Sequence, residues 1–224
     1  MSKRTKLRDR SLPNYTRGEE IMNMVTHIVG GGMGVIVLIL SLSRSILNHN
    51  IYGAVGSVIY GITMITLYTM SSVYHGMKPC TGKKVMQVMD HCTIYFLIAG
   101  TYTVIALTVL RELNPWLGYG ILALQWILTS LAVTLTAIDL RKYNVFSMIC
   151  YIFMGWCIIL FLPWAIEALT LPGFYWMLSG GIAYTIGAVL YGIGSKKRWM
   201  HSVFHIFVVL GSILQFFSVL LYAL

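Results

Sequence analysis

The chain has 224 residues, of which 58% are hydrophobic and only 10% charged, and its mean hydropathy is +0.77. Soluble domains carry roughly 25% charged residues, so too little polar surface is left to cover a globule, which excludes a soluble protein. The formal net charge of +9 invites a nucleic-acid partner, but the placement of that charge argues against one.

A hydrocarbon core of about 30 Å takes about 20 apolar residues per helical crossing. Residues 1–18 form a basic tail holding Lys3, Arg4, Lys6, Arg8, Arg10 and Arg17. No small-residue cleavage site follows the first apolar run, so no removable signal peptide is expected. The first span is expected at Ile21–Ser43, where Gly30 and Gly34 have GxxxG spacing. That spacing usually marks close packing inside a bundle and less often a dimer seam. The second, Ile51–His75, is separated by Lys78, Lys83 and Lys84 from the third, Val85–Leu110. Pro115 leads into the fourth, Trp116–Ile138, and Arg141 and Lys142 precede the fifth, Val145–Trp164, with Pro163 near its end. Pro172 sits at the start of the sixth, Leu171–Gly194, a tolerated position for proline. Lys196, Lys197 and Arg198 then precede the seventh, Trp199–Leu224. Trp116, Trp164, Trp176 and Trp199 fall near span ends, where indoles favour the headgroup zone.

The expected fold is therefore all-α, a seven-transmembrane helix bundle over residues 19–224. Fourteen of the 16 basic residues fall in the tail and in alternate loops, leaving Arg44 and Arg111 opposite. This positive-inside pattern puts the N-terminus in the cytoplasm and the C-terminus outside. The partners expected are membrane lipids, with the basic tail and loops contacting anionic headgroups, and no nucleic acid. Cys80, Cys92, Cys150 and Cys157 form no CxxC pair. Cys80 falls in a cytoplasmic loop, where thiols stay reduced, and Cys92 reads as a buried apolar thiol.

Against this apolar background a few polar residues stand out. Span two runs outward to inward, so Ser71 and His75 lie at its cytoplasmic end. Spans three and seven start on that side, bringing in Asp90, His201 and His205. Ionisable groups inside a membrane are costly and mark functional sites by default. Ser71 and His75 are four residues apart, as are His201 and His205, so each pair shares a helix face. Two imidazoles one turn apart can chelate one ion. HExxH proteases have that spacing, but Ser202 stands where their glutamate belongs, so the base must come from another helix.

Three histidines leave the fourth tetrahedral position of Zn²⁺ to water, which the ion brings to a pKa of about 7. Asp90 is then the candidate base and Ser71 a hydrogen-bonding partner of the water or a substrate oxygen. An ester or amide carbonyl is the natural target. The plainer reading of one intramembrane histidine is interhelical hydrogen bonding; three histidines and an aspartate at one depth favour a shared ion. Glu20, Asn23 and His27 lie at helical spacing near the start of span one, as a supporting layer, a substrate edge, or ordinary capping. His91 points about 100° away from Asp90, which suits packing. His49, Asp139 and Glu167 fall in connections, where solvation is the default.

These residues carry a resemblance. Glu-Glu-Ile-Met-Asn-Met-Val-Thr-His at 19–27, Ser-Ser-Val-Tyr-His at 71–75, Asp-His-Cys-Thr-Ile-Tyr-Phe-Leu-Ile-Ala-Gly-Thr-Tyr-Thr at 90–103 and His-Ser-Val-Phe-His at 201–205 resemble the bacterial hemolysin III proteins. Those belong to the progestin and adipoQ receptor group, in the superfamily that includes alkaline ceramidases. The resemblance implies seven helices with a cytoplasmic N-terminus, zinc on His75, His201 and His205, and Asp90 and Ser71 around its water. It also implies a bacterial plasma membrane and a link to membrane-lipid homeostasis. Val104 stands where the family usually has proline, which leaves a local helix kink in question. The long N-terminal region of the eukaryotic hormone receptors has no counterpart, so hormone sensing is not carried over.

Three functions compete. The first is an intramembrane zinc hydrolase of a lipid amide or ester. The second is a non-enzymatic sensor of membrane composition braced by structural zinc, which normally takes four protein ligands. The third is cytolysis by pore formation, which usually needs polar residues along several helices, whereas spans four to six are nearly free of charge.

Overall fold

A computed structural model describes residues 5–194 and 197–224; Lys3, Arg4 and Lys196 of the basic clusters lie outside the described residues. Secondary structure among the described residues is entirely helical. The main helices are α1 (Arg17–Leu47), α2 (Ile51–Gly76), α3 (Thr81–Ile105), α4 (Pro115–Ile138), α5 (Asn144–Trp156), α6 (Leu162–Gly194) and α7 (Met200–Ser218). With their continuations they form, among the described residues, six helical runs long and apolar enough to cross a membrane, so the chain is an integral, multi-pass membrane protein.

The helix starts are written locally. Thr16 caps α1 in a capping box with Glu19, satisfying two backbone donors reciprocally. Asn50 caps α2 through the Gly53 amide, and Asn114 caps α4 ahead of Pro115 in its first turn, where a missing N–H costs nothing. The fifth run, Asn144–Gly194, holds 51 residues. A straight helix of that length would extend about 76 Å, more than twice the thickness of the hydrocarbon core. It is interrupted by a 3₁₀ segment at Cys157–Phe161 and by non-helical backbone at Thr170, with φ 59° and ψ 165°. Pro163, expected near a helix end, instead lies in the first turn of α6, where proline is equally tolerated.

Sheer proximity of small residues sets the packing. Hydrophobic burial gives no preference between lipid and protein neighbours inside a bilayer, so close backbone contact takes over. A Cβ on Gly30 would fall 2.6 Å from the Tyr68 ring, and one on Gly61 would fall 2.5 Å from Leu38 Cβ. The GxxxG spacing of α1 thus serves packing against α2 within the chain. α2 packs on α3, α3 on α4, and α7 on both α6 and α1, which brings the two ends of the chain side by side.

The kink in question after Thr103 is present without proline. α3 passes into a π-helical stretch at Ala106–Leu110, with non-helical backbone at Thr108. The Thr108 hydroxyl donates to the Val104 carbonyl at 2.7 Å, a side-chain intrusion of the kind that bends helices.

The N-terminal segment lies on the bundle. Thr5 N–H donates to Asp139 Oδ2 at 2.8 Å, and Arg10 Nη2 donates to the Ile138 carbonyl at 3.1 Å. Asp139, expected to be solvated, is only 1% exposed. Its Oδ1 also accepts from the backbone of Arg141 and Lys142. Burial pushes this carboxyl up, but the hydrogen bonds from Thr5 and Lys142 and the nearby Arg10 outweigh it and hold it below the usual aspartate range.

Candidate metal centre

His75 is one residue from the end of α2, and His201 is the second residue of α7. Because α1 and α6 flank α7 and α1 flanks α2, both helix ends meet at one end of the bundle. His75, His201 and His205 are all buried, and one ligand atom from each lies within 4.8 Å of the others. His201 and His205, one turn apart, hold their Nε2 atoms 3.1 Å apart. Two nitrogens on one tetrahedral zinc stand about 3.3 Å apart, given Zn–N bonds near 2.0–2.1 Å, so this pair is nearly set for a shared ion. His75 supplies the third member of the set, within 4.8 Å of the other two.

The tautomer of His75 is dictated by its neighbours. Its Nδ1 lies 2.6 Å from Glu20 Oε2, and a carboxylate can only accept. Nδ1 therefore donates to Glu20, and Nε2 is the nitrogen left to meet any other partner. That Nε2 is buried and has no hydrogen-bond partner among the described residues. Metal-bound histidines typically donate their other nitrogen to a carboxylate, which fixes the ring and raises its basicity. Glu20 is held in turn by Lys83 Nζ at 2.5 Å, and Lys83 also donates to the Met77 carbonyl. The Asn23 amide stands 3.4 Å from the same Nδ1. An orphaned nitrogen on a ring clustered with two other imidazoles, its second nitrogen held by a carboxylate, is what a metal ligand requires.

The remaining candidates border a cavity of about 160 Å³. Ser71, Asp90, His201 and His205 all line it, as does His27. From this polar end the cavity continues past Ile94, Ile98 and Tyr102 of α3 and Met177 of α6. Asp90 and Ile105, both in its wall, are about 22 Å apart along a helix axis, so the cavity is long and largely apolar. His75 adjoins it through ring contacts of 4.9 Å to His205 and 5.4 Å to His201. Asp90 Oδ2 is 3.8 Å from His91 Nδ1. Although the two side chains leave α3 in different directions, both reach the cavity wall. The Ser71 hydroxyl has no partner among the described residues.

Two participants escaped the sequence reading. Tyr15, counted within the basic tail, stacks on His201 at 4.8 Å and 20° and approaches His75 at 5.8 Å. Burial raises its hydroxyl above the ordinary tyrosine range, assisted by Tyr191, Asp90 and Glu20. The overlooked signal was Thr-x-x-Glu at 16–19, a helix start that makes the residue just before it a docking position. Lys83, counted as a loop charge, is 3% exposed. A lysine in the first turn of a helix opposes the macrodipole, and that misplacement pointed to a carboxylate partner. Glu19 adds a tether, its Oε1 accepting the Trp199 N–H at 2.7 Å, which joins the start of α1 to the start of α7.

Helices long enough to span a bilayer and a buried histidine cluster beside an apolar cavity define a polytopic membrane protein with a candidate intramembrane metal centre. Its sequence matches the haemolysin-III-related family model over residues 15–216. It is 36% identical to Hemolysin-3 of Bacillus cereus, over 92% of each chain. It is 33% identical to the Hemolysin-3 homolog of Bacillus subtilis strain 168, over 93% of this chain and 96% of that one. The chain belongs to the haemolysin III family.

Proposed function

We propose that this protein is a zinc-dependent hydrolase of the bacterial plasma membrane that cleaves a lipid amide or ester reached from the cytoplasmic leaflet. In this reading the chain crosses the membrane seven times, the long Asn144–Gly194 run being divided at Thr170. The basic N-terminal end and the histidines face the cytoplasm, and the C-terminus lies outside. The observation that carries the reading is the orphaned Nε2 of His75, on a ring held by Glu20 and clustered with His201 and His205, beside a cavity lined by Asp90 and Ser71.

His75, His201 and His205 would hold the ion, and an all-imidazole set with one position open is the donor set of catalytic zinc. Bound there, zinc supplies Lewis acidity toward a carbonyl and toward water. Asp90 takes a proton from the attacking water as its oxygen bonds to the carbonyl carbon, then returns it to the leaving nitrogen or oxygen as the old bond breaks. Ser71 donates a hydrogen bond to the carbonyl oxygen, and the products are a fatty acid and an amine or alcohol. The apolar length of the cavity suits the acyl chain and favours lipid over soluble substrates. Hydrolysis of this kind places the protein in membrane-lipid homeostasis.

The test is lipid-product profiling of reconstituted wild type and Asp90→Asn, with zinc measured in both. The proposal expects equal zinc and a loss of turnover of about 10²–10⁴-fold, the usual worth of a general base. Equal turnover in the two proteins would contradict it. A sensor with structural zinc would show zinc and no product. The names of the relatives suggest cytolysis, and conductance in protein-only bilayers that survives His75→Ala would favour that reading.

A further inference from the structure

One buried histidine on the cavity wall stands outside the converging set of three. His27 of α1 is 4% exposed, and neither of its ring nitrogens has a hydrogen-bond partner among the described residues. An imidazole always offers at least one N–H donor. Leaving a buried polar group unsatisfied costs about 1–3 kcal/mol. Every other histidine of the cluster has at least one nitrogen engaged: His75 with Glu20, and His201 with His205. His27 alone is packed without being paired.

Its packing also says what it does not do. The His27 ring lies on the His205 ring with centroids 3.8 Å apart and planes at 22°. Imidazole lone pairs lie in the ring plane, so two nearly parallel rings 3.8 Å apart cannot both direct a nitrogen at one ion. His27 is also absent from the set of three histidines whose ligand atoms converge. Tyr68 abuts it edge-on at 5.0 Å, so the ring is clamped on two sides. It borders the same cavity as Ser71, whose hydroxyl is likewise unpartnered. A clamped imidazole and a buried serine hydroxyl, both without a partner among the described residues and both bordering the cavity, are a receptor for a polar atom that enters with a ligand.

We infer that His27 is a substrate-positioning residue, whose ring N–H together with the Ser71 hydroxyl holds the carbonyl oxygen of an acyl amide or ester beside the metal histidines. This deepens the hydrolase reading and rests on it. A pair of donors on a carbonyl oxygen polarises it for attack and fixes its orientation.

The probe is dodecanohydroxamic acid, an alkyl chain ending in a carbonyl-bearing metal chelator. Its affinity is measured on zinc-loaded, detergent-purified wild type, His27→Phe and His27→Gln, with zinc per chain determined for each. Phenylalanine keeps the stack on His205 and the edge contact with Tyr68 but removes both nitrogens; glutamine restores a donor. The inference expects full zinc in both variants, affinity about tenfold weaker in His27→Phe, as for one lost hydrogen bond, and recovery of most of it in His27→Gln. Wild-type affinity in His27→Phe would overturn the inference. Loss of zinc in His27→Phe would overturn it too, by making His27 a ligand or a brace of His205. Zinc-loaded wild type that fails to bind the hydroxamate would instead overturn the hydrolase reading on which it rests.

Discussion

Glu20 Oε2 sits 2.6 Å from His75 Nδ1, and this contact decides which nitrogen of His75 is free to take a metal. The carboxylate is partly buried and also pairs with Lys83. Changing Glu20→Gln keeps a hydrogen-bond acceptor but removes the charge behind the His75 ring. Zinc affinity should fall about 10–100-fold, the usual effect of losing such a partner. A competition titration against a chromophoric chelator measures it, and an unchanged affinity would detach Glu20 from the metal centre.

Tyr15 covers the other side of the cluster. Its ring lies against His201, and the segment that carries it is tied down at Thr5, Arg10 and Glu19. Water and chelators arriving from that side must displace it. Tyr15→Ala should therefore shorten the half-time of zinc loss to excess chelator several-fold while leaving the zinc content before challenge unchanged. Identical extraction rates would show that the ring does not shield the site.

The same segment has a pH dependence. The Asp139 carboxyl is held below its ordinary value by the Thr5 and Lys142 amides and by Arg10, against the opposing effect of burial. A depressed folded-state value means that the stabilisation is complete above the unfolded value of about 3.9 and is lost as pH falls through the folded one. Docking of the N-terminal segment should thus persist unchanged from neutral pH to about 4 and weaken only below that. Backbone hydrogen exchange at residues 5–16, measured along a pH series and corrected for intrinsic rates, reads this out. Release already complete near pH 6 would identify a different latch.

How far the sequence reached can be judged residue by residue. The i, i+4 pairs were legible because a helix turn leaves no choice of face, and the alternation of basic loops was reason to expect His75, Asp90 and His201 near one another. The in-chain meaning of Gly30 and Gly34 was likewise readable as spacing. Tertiary pairing was not. Nothing in a one-dimensional pattern joins Glu20 to Lys83, 63 positions apart, or seats Thr5 on Asp139. Composition hid them further, since a lysine beside a basic loop and an aspartate in a connection both look solvated. The kink at Thr108 was obscured for another reason: proline is the visible cause of helix distortion, and position 104 holds valine instead.

The contact between Gly61 and Leu38 offers a test of the bundle itself. A methyl group at Gly61 would meet Leu38 Cα at 2.9 Å as well as its Cβ, and backbone cannot rotate away as a side chain can. Gly61→Ala should destabilise the protein by about 1–3 kcal/mol, the cost of overpacking, seen as a lower midpoint of thermal unfolding in detergent. No shift would mean that α1 and α2 stand further apart than described.

The central claim is that three imidazoles from α2 and α7 share one metal ion. Elemental analysis of purified wild type beside His75→Ala, His201→Ala and His205→Ala tests it most directly. About one zinc per chain in the wild type, and background zinc in each folded variant, is the predicted result. A wild type free of metal, or variants that retain a full complement, would contradict it.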